Sequence, residues 1–430
     1  MKLTSPTFRN WLSSLAWKDL GIAASSTAIS TAINVLSGEA NNEGLMHRLH
    51  VRIAKHEKSI WYDMGDGSAI KINKLGWEIV ENPPILFSRF NHQQIQVIPK
   101  KGGNIEDVLS LINLKNKDDQ LLFQVALITC FIPDIPHPIL VSHGPQGSAK
   151  SMLHRILKQI VDPSNADLLS APGDLREFIQ TASHHWVVSL DNLTYLPDWM
   201  SDALCKVCTG SGFSKRELYT DDDDIIYSLK HIVGLNGISL VVSKPDLLDR
   251  SILLAHETIP RNEKKTEEEM IKKLTQLKPL ILGAIFDILS KAMAIEPDVK
   301  LVASPRMADF THWGYAIAMA MGDEHNKFLH AYKINIEQQH DEAIEASLVG
   351  IVILKLMEEK DSYEATATDL LRELKYIADI LEIDRRKAWP KNPNQVWKEI
   401  VKIKTNLEAK SIVAEKGKSG ARRITLTKIK

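Results

Sequence analysis

Eight residues constrain this chain more than any others: Gly144, Pro145, Gln146, Gly147, Ser148, Ala149, Lys150 and Ser151. They follow the apolar run Ile139-Leu140-Val141 and precede a helical pattern extending to about Ile160, so the order is strand, glycine-containing loop, helix. A loop that wraps a polyphosphate needs small residues, so that successive backbone N–H groups can point inward. It also needs a lysine for the phosphate oxygens, a hydroxyl for Mg²⁺, and a helix N-terminus to favour anions. This stretch supplies each of them. Ala149 stands where the usual pattern has glycine, a change that is acceptable where its φ is negative.

A second acidic motif is expected about forty residues on, at the end of a neighbouring strand. Trp186-Val187-Val188-Ser189-Leu190 is a short buried-strand pattern ending in Asp191-Asn192, which puts Asp191 where Mg²⁺ would be held. Alone, Asp191 could equally cap the following helix. His231 to Leu235 is another short strand, ending at Asn236, an amide able to orient water or a γ-phosphate. Asp246-Leu247-Leu248-Asp249-Arg250 precedes the apolar run 252–254, and Arg250 is either a finger for a neighbour's site or a surface ion pair. Ser304-Pro305-Arg306 reads as a helix start, from which Arg306 would swing over the same nucleotide.

The remaining chain reads in blocks. Residues 1 to about 45 are helical, and residues 60–99 alternate in short segments around Gly65-Asp66-Gly67, as a small antiparallel sheet does. Asp63 and Asp66 there are turn residues before they are metal ligands. Lys100-Lys101-Gly102-Gly103 reads as a linker, and Cys205 and Cys208 as core positions on a helix. Phe213–Tyr219 and Ile225–Tyr227 read as a hairpin carrying Lys215 and Arg216 on one arm, with aspartates at its tip that would repel phosphate. Thr266 to Glu269 forms a capping box that opens a helical region.

Charge is unevenly distributed. From Arg385 onward there are 14 Lys/Arg against 3 Asp/Glu, a net of +11, so residues 1–384 carry −12 of a total of −1. That segment contains a helix opened by Asn392-Pro393, with Val396, Ile400, Ile403 and Leu407 on one face and Lys398, Lys402 and Asn406 on the other. Ser411–Ala414 and Arg423–Leu426 flank a Lys/Gly-rich turn from Glu415 to Gly420. Three helices and a basic hairpin make a winged helix, which binds DNA through its third helix and its wing, or else binds protein. Lys398, Lys402, Arg422 and Arg423 are the expected DNA contacts. The composition, 44% apolar and 25% charged, is that of a globular chain without a membrane span or signal-peptide core, and three cysteines suit a reducing cytoplasm.

Together these residues resemble the AAA+ ATPases, and within them the helicases of superfamily 3 and the minichromosome-maintenance type, as in predicted replicative helicases and primase-helicases of phages and mobile genetic elements. Gly144–Ser151 matches the Walker A loop, Leu190-Asp191 the Walker B strand, and Thr209 to Tyr219 the pore-hairpin segment. Asn236 is similar to the sensor asparagine, Arg250 to the arginine finger, and Arg306 to the second sensor on the lid. The resemblance implies an α/β P-loop core with a helical lid, divided as residues 1–103, 104–260, 261–343 and 344–430. It implies ATP and Mg²⁺ as cofactors, with Mg²⁺ held by Ser151 and Asp191. It also implies a homo-hexameric ring on single-stranded or forked DNA and a primase as a further partner, in cis or in trans. Asn192 departs from the common acidic pair, so another acid, such as Asp202 or Glu217, would have to take the proton from water, or turnover is slow. The alternatives are a nucleotide-switched replication initiator or loader that does not unwind, and a signalling or defence ATPase whose winged helix contacts protein.

Overall fold

The computed structural model describes residues 3–216, 224–237, 240–242, 244–301, 305–322, 324–384, 389–417 and 423–429. It divides into two compact units, Met1–Leu49 and His50–Lys430.

The first unit is a helical hairpin of α1 (Pro6–Leu20) and α2 (Ser26–Glu43). Ser5 and Ser25 cap the two N-termini by accepting from Phe8 N and Ala28 N, so both helices start where a serine oxygen satisfies an orphan N–H. The hairpin buries little: α1 has no buried residue and α2 only Ile29 and Ile33.

The second unit opens with an antiparallel sheet of β1 (Ile53–His56), β2 (Ser59–Asp63), β3 (Ala69–Asn73) and β4 (Gly76–Val80), paired in that order. Asp66 Oδ1 accepts from Ser68 N (2.9 Å) in the β2–β3 turn, the role expected of a turn aspartate. After α3 (Lys117–Thr129) comes β5 (Ile139–His143), then α4 (Lys150–Val161), α5 (Leu175–His184) and β6 (Val187–Leu193). Next are α6 (Asp198–Thr209), the hairpin β7 (Gly212–Arg216) with β8 (Asp224–Ser228), β9 (Ile232–Gly237), α7 (Pro245–Leu248) and β10 (Ser251–Ala255). Four of these strands form a parallel sheet in the order β10-β5-β9-β6.

Three long helices follow: α8 (Glu267–Ile295), α9 (Ala308–Gly322) and α10 (His325–Glu345). Thr266 and Glu269 form the expected capping box at the start of α8. The α10 helix covers the edge strand β10 with side-chain amides. Asn335 pairs with both backbone groups of Leu253 (3.0 and 2.7 Å), and Gln339 donates to Ser251 O (2.6 Å). An edge that would otherwise template a further strand is thereby satisfied.

One apolar core runs from Ile53 to Ala343. The small sheet belongs to it: Tyr62, Phe131 and Phe286 meet with ring centroids 5.3–5.8 Å apart. Trp77 Nε1 also donates to Asp287 Oδ1 (2.8 Å) on α8. Lys100–Gly103, expected to be a linker, instead packs across α8. Lys100 N donates to Pro279 O (2.8 Å), and a Cβ on Gly283 would stand 1.8 Å from Lys100 O. The glycine is needed for close approach of two chains, which a local sequence reading takes for flexibility.

A separate core spans Ile344 to Leu426. It joins α11 (Leu348–Glu358), β11 (Ser362–Thr366), α12 (Ala367–Ile380), α13 (Pro393–Lys402), α14 (Lys404–Ala409), β12 (Ile412–Lys416) and β13 (Arg423–Lys428). The strands form an antiparallel sheet in the order β11-β13-β12. The strand β11 was not expected. The expected single helix through Leu407 breaks at Ile403, yet Val396, Ile400, Ile403 and Leu407 are all buried on one side. Asn406, expected on the outer face, is buried and bonds to His340 Nδ1 (3.0 Å). No helix among the described residues is long and apolar enough to cross a membrane.

Candidate nucleotide site

The loop Gly144–Ser151 leaves the C-terminal end of β5 and enters α4. Gly144 (φ 137) and Gly147 (φ 74) take backbone conformations open to glycine. A Cβ on Gly144 would also lie 2.2 Å from His256 O, so this position admits no side chain. Ala149 departs from expectation: its φ is 63 and ψ 29, the left-handed region, whereas a negative φ was required for the alanine to be neutral. The usual glycine has a conformational reason, and this chain tolerates strain there.

Lys150 Nζ lies in the mouth of the loop, donating to Gly144 O and Pro145 O (both 2.8 Å) and to Ser148 Oγ (3.3 Å). Burial lowers its pKa and the Asp191 carboxylate counters that shift. Ser151 Oγ donates to Asp191 Oδ1 (2.9 Å). Asn236 Nδ2 donates to the same carboxylate oxygen and to Ser151 Oγ (3.3 Å). Strand order produces this cluster. Because β9 is inserted between β5 and β6, its terminal Asn236 falls between the loop hydroxyl and the acidic strand end. Ser151 and Asp191 are hard oxygen donors at one sheet edge, a pair suited to Mg²⁺.

The register between β6 and β9 shifts between Leu235 and Gly237, a bulge that accommodates Asp191 and Asn192 opposite Asn236. Asn192 takes φ 55, a conformation asparagine tolerates better than most residues, and its N–H donates to Asn236 Oδ1 (3.0 Å). Its own side chain is exposed. The bulge therefore uses the backbone of Asn192 to orient Asn236. Of the two expected substitute acids, Asp202 pairs with Lys244 (3.1 Å), the residue preceding α7, at the far edge of the sheet. Glu217 lies outside the described residues.

Arg250 and Arg306 are brought together, but not here. Arg250 directly precedes β10, whose first residue pairs with the first residue of β5, so it lies at the sheet edge opposite the loop. The intervening five-residue strand makes that separation roughly 13 Å or more. Arg250 Nη1 donates to Asp246 O and Oδ1 (both 2.6 Å). Arg306 Nη2 shares that Asp246 oxygen (2.5 Å), and its Nη1 reaches Asp249 Oδ2 (3.1 Å). Arg306 thus stands beside Arg250 and away from its own chain's loop, because its ion pairs with Asp246 and Asp249 hold it at the opposite edge.

The backbones of Lys215 and Arg216 lie on β7, paired with β8; Arg422 lies outside the described residues. Lys402 is held by Glu399 (2.8 Å) and Arg423 by Glu364 (3.3 Å), while Lys398 lines a shallow cavity with Trp389 and Lys391. Cys208 Sγ donates to His137 O (2.7 Å) in the core, and no group of three or more His, Cys, Asp or Glu among the described residues could hold a metal.

Sequence reading missed the residues that surround the loop. Asn113 Nδ2 ties Ser148 O (3.1 Å) to Glu257 O (2.7 Å). A cavity of about 390 Å³ adjoins Gly147 and Ala149, with Leu111, Ile112, Met152, Ile259 and Met270 supplying apolar walls. Nothing in spacing signals these residues, because they come from three separate segments.

Comparison with known proteins places this geometry in a family. The model of the actinomycete integrative conjugative element replication protein matches residues 105–342, and the C-terminal domain of that replication protein matches residues 349–430. No curated protein matches the chain. Among solved structures, the chain is similar to the apo structure of the NrS-1 C terminal region (305–718), with 10% identity and a TM-score of 0.42 over 98% of this chain and 90% of that one. It is also similar to the JCV helicase bound to an acetamide compound, with 14% identity and a TM-score of 0.23 over 50% of this chain and 67% of that one. Neither likeness reaches a TM-score of one half. The first family match alone spans more than half of the 430 residues, and the chain therefore belongs to the actinomycete integrative conjugative element replication proteins.

Proposed function

We propose that this replication protein is an ATP-hydrolysing DNA helicase of the AAA+ type that works as a homo-hexameric ring. The observation that carries the reading is the pairing of two half-sites on opposite edges of one sheet: Lys150, Ser151, Asp191 and Asn236 at one, Arg250 and Arg306 at the other. An arginine a strand's length from its own loop can act on ATP only if a neighbouring chain presents it. Head-to-tail contacts of that kind close into rings.

In this reading Lys150 and the loop amides bind the phosphates, and Ser151 and Asp191 hold Mg²⁺, which would neutralise phosphate charge. Asn236, oriented by the Asn192 N–H, positions the γ-phosphate or the attacking water. The apolar cavity beside Ala149 suits a nucleobase. Arg250 and Arg306 would exchange Asp246 and Asp249 for the neighbour's phosphates, coupling hydrolysis to the β7–β8 hairpin that carries Lys215 and Arg216. The C-terminal order of helix, strand, three helical segments and two strands supports a winged helix, with Lys398, Lys402, Arg422 and Arg423 as its DNA contacts. The protein would be cytoplasmic, its DNA single-stranded or forked and a primase its further partner.

Lys150→Ala is expected to abolish ATP hydrolysis while leaving the circular dichroism spectrum unchanged; retained turnover sinks the P-loop reading. Arg250→Ala subunits mixed with wild type should poison activity more steeply than dilution, and a linear response rejects the finger. The runner-up, a nucleotide-switched initiator or loader, is favoured by Asn192, whose exposed amide stands where a proton-accepting carboxylate would help turnover. Strand displacement on forked DNA with ATP separates the two, since a switch binds and assembles without unwinding.

A further inference from the structure

The segment His256–Glu267 leaves the end of β10 and runs to the start of α8, and it is fastened to the phosphate loop at two points and to the following helix at a third. His256 O abuts Gly144 closely enough to exclude a Cβ. Asn113 bridges Glu257 O and Ser148 O (2.7 and 3.1 Å). Glu267 pairs with Arg155 on α4, one turn beyond the loop. Between these points the segment forms one wall of the cavity beside the loop. Lys264 extends from it over the loop, its Nζ 3.4 Å from where a Cβ on Gly147 would be. It forms no ion pair among the described residues, although Glu263 and Glu267 line the same cavity and Glu267 is neutralised by Arg155.

We infer that this strap is the roof of the nucleotide site within the same chain, and that Lys264 is the second phosphate-binding cation which that chain supplies, beside Lys150. The inference rests on the P-loop reading and deepens it. A triphosphate seated on Gly147 brings several negative charges beneath an ammonium that has no ion-pair partner among the described residues, whereas a monophosphate brings fewer. The contact should therefore grade with phosphate number, as a charge-assisted bond does.

The test is calorimetric titration of the full chain with ATP, ADP and AMP in Mg²⁺, using wild type, Lys264→Ala, Lys264→Arg and, as a control, Lys272→Ala, an exposed lysine of α8 outside the cavity. Lys264→Ala should weaken ATP about tenfold while changing AMP less than about twofold. Lys264→Arg should retain ATP affinity, and Lys272→Ala should match wild type. Unchanged ATP affinity in Lys264→Ala, an equal loss for ATP and AMP, or a loss that arginine does not restore would overturn the inference while leaving the P-loop reading intact. Wild-type protein that binds none of the three nucleotides would remove both.

Discussion

Replacing Asp162 by asparagine is expected to destabilise the second unit by about 3–5 kcal/mol, the cost of removing one member of a buried ion pair. Asp162 follows the last residue of α4 and is fully buried, as are Arg52 and Lys158. Its Oδ1 accepts from Arg52 Nε (3.0 Å), and its Oδ2 from Lys158 Nζ (2.7 Å), Trp186 N (2.9 Å) and Val187 N (3.2 Å). Burial alone would raise its pKa, but the Lys158 and Arg52 cations outweigh that and hold the carboxyl well below its ordinary range. Asparagine keeps the shape and loses the charge, leaving two cations in the core without a counter-ion. Arg52 belongs to the segment before β1 and also donates to Gln94 O and Pro163 O, so this one carboxylate fastens the small sheet to the foot of the phosphate-loop helix. At roughly 2–4 °C per kcal/mol for a domain of 150–250 residues, the first thermal transition should fall by about 10 °C. Tryptophan fluorescence reports it, since Trp186 is bonded to the pair by its backbone and to Cys130 O by its indole (2.8 Å). A triple replacement of Arg52 by Met, Lys158 by Met and Asp162 by Leu removes all three charges and should recover most of the loss. A D162N protein within about 1 kcal/mol of wild type would refute the reasoning.

Two further outcomes follow from the same physics. Burial pushes His137 and His185 down to about 3, and His154 and His256 down to about 4, from 6.5. The unfolded chain therefore takes up protons that the folded chain refuses, so the stability these groups contribute is full above pH 6.5 and is lost as pH falls toward 4. Each costs on the order of 1.4 kcal/mol per pH unit in that window. Thermal midpoints should be level above pH 6.5 and decline below it, and a level profile from pH 7 to 5 would contradict this. Ala149→Gly should stabilise the chain by roughly 0.5–1 kcal/mol, the left-handed strain of about 1–2 kcal/mol outweighing the backbone entropy that glycine adds in the unfolded state. A lower denaturant midpoint in that variant would contradict the strain.

The geometry of the candidate nucleotide site was legible wherever it is encoded within one short segment. A glycine-containing loop between an apolar strand and a helical pattern, and a strand ending in Asp191, are local patterns read from neighbouring residues. The burial of Val396, Ile400, Ile403 and Leu407 on one helical face was legible for the same reason. The small sheet's place in the main core was not, because nothing between residues 60 and 99 encodes the distant Phe286 against which Tyr62 packs. Arg306 looked like a lid residue because Ser304-Pro305-Arg306 reads as a helix start, and only the packing of its segment against α7 showed which edge it occupies. Ala149 looked neutral because φ is not written in residue type. Alone, the amino-acid order determined which residues form the glycine-containing loop and where the strand that presents it ends. Tertiary structure decided which side chains share an edge, since inserting β9 between β5 and β6 joins Ser151, Asp191 and Asn236 across 85 residues, and the fold of residues 256–267 brings Lys264 over Gly147. The reason is that strand order and chain crossing are chosen by the burial of the whole core, which no local window contains.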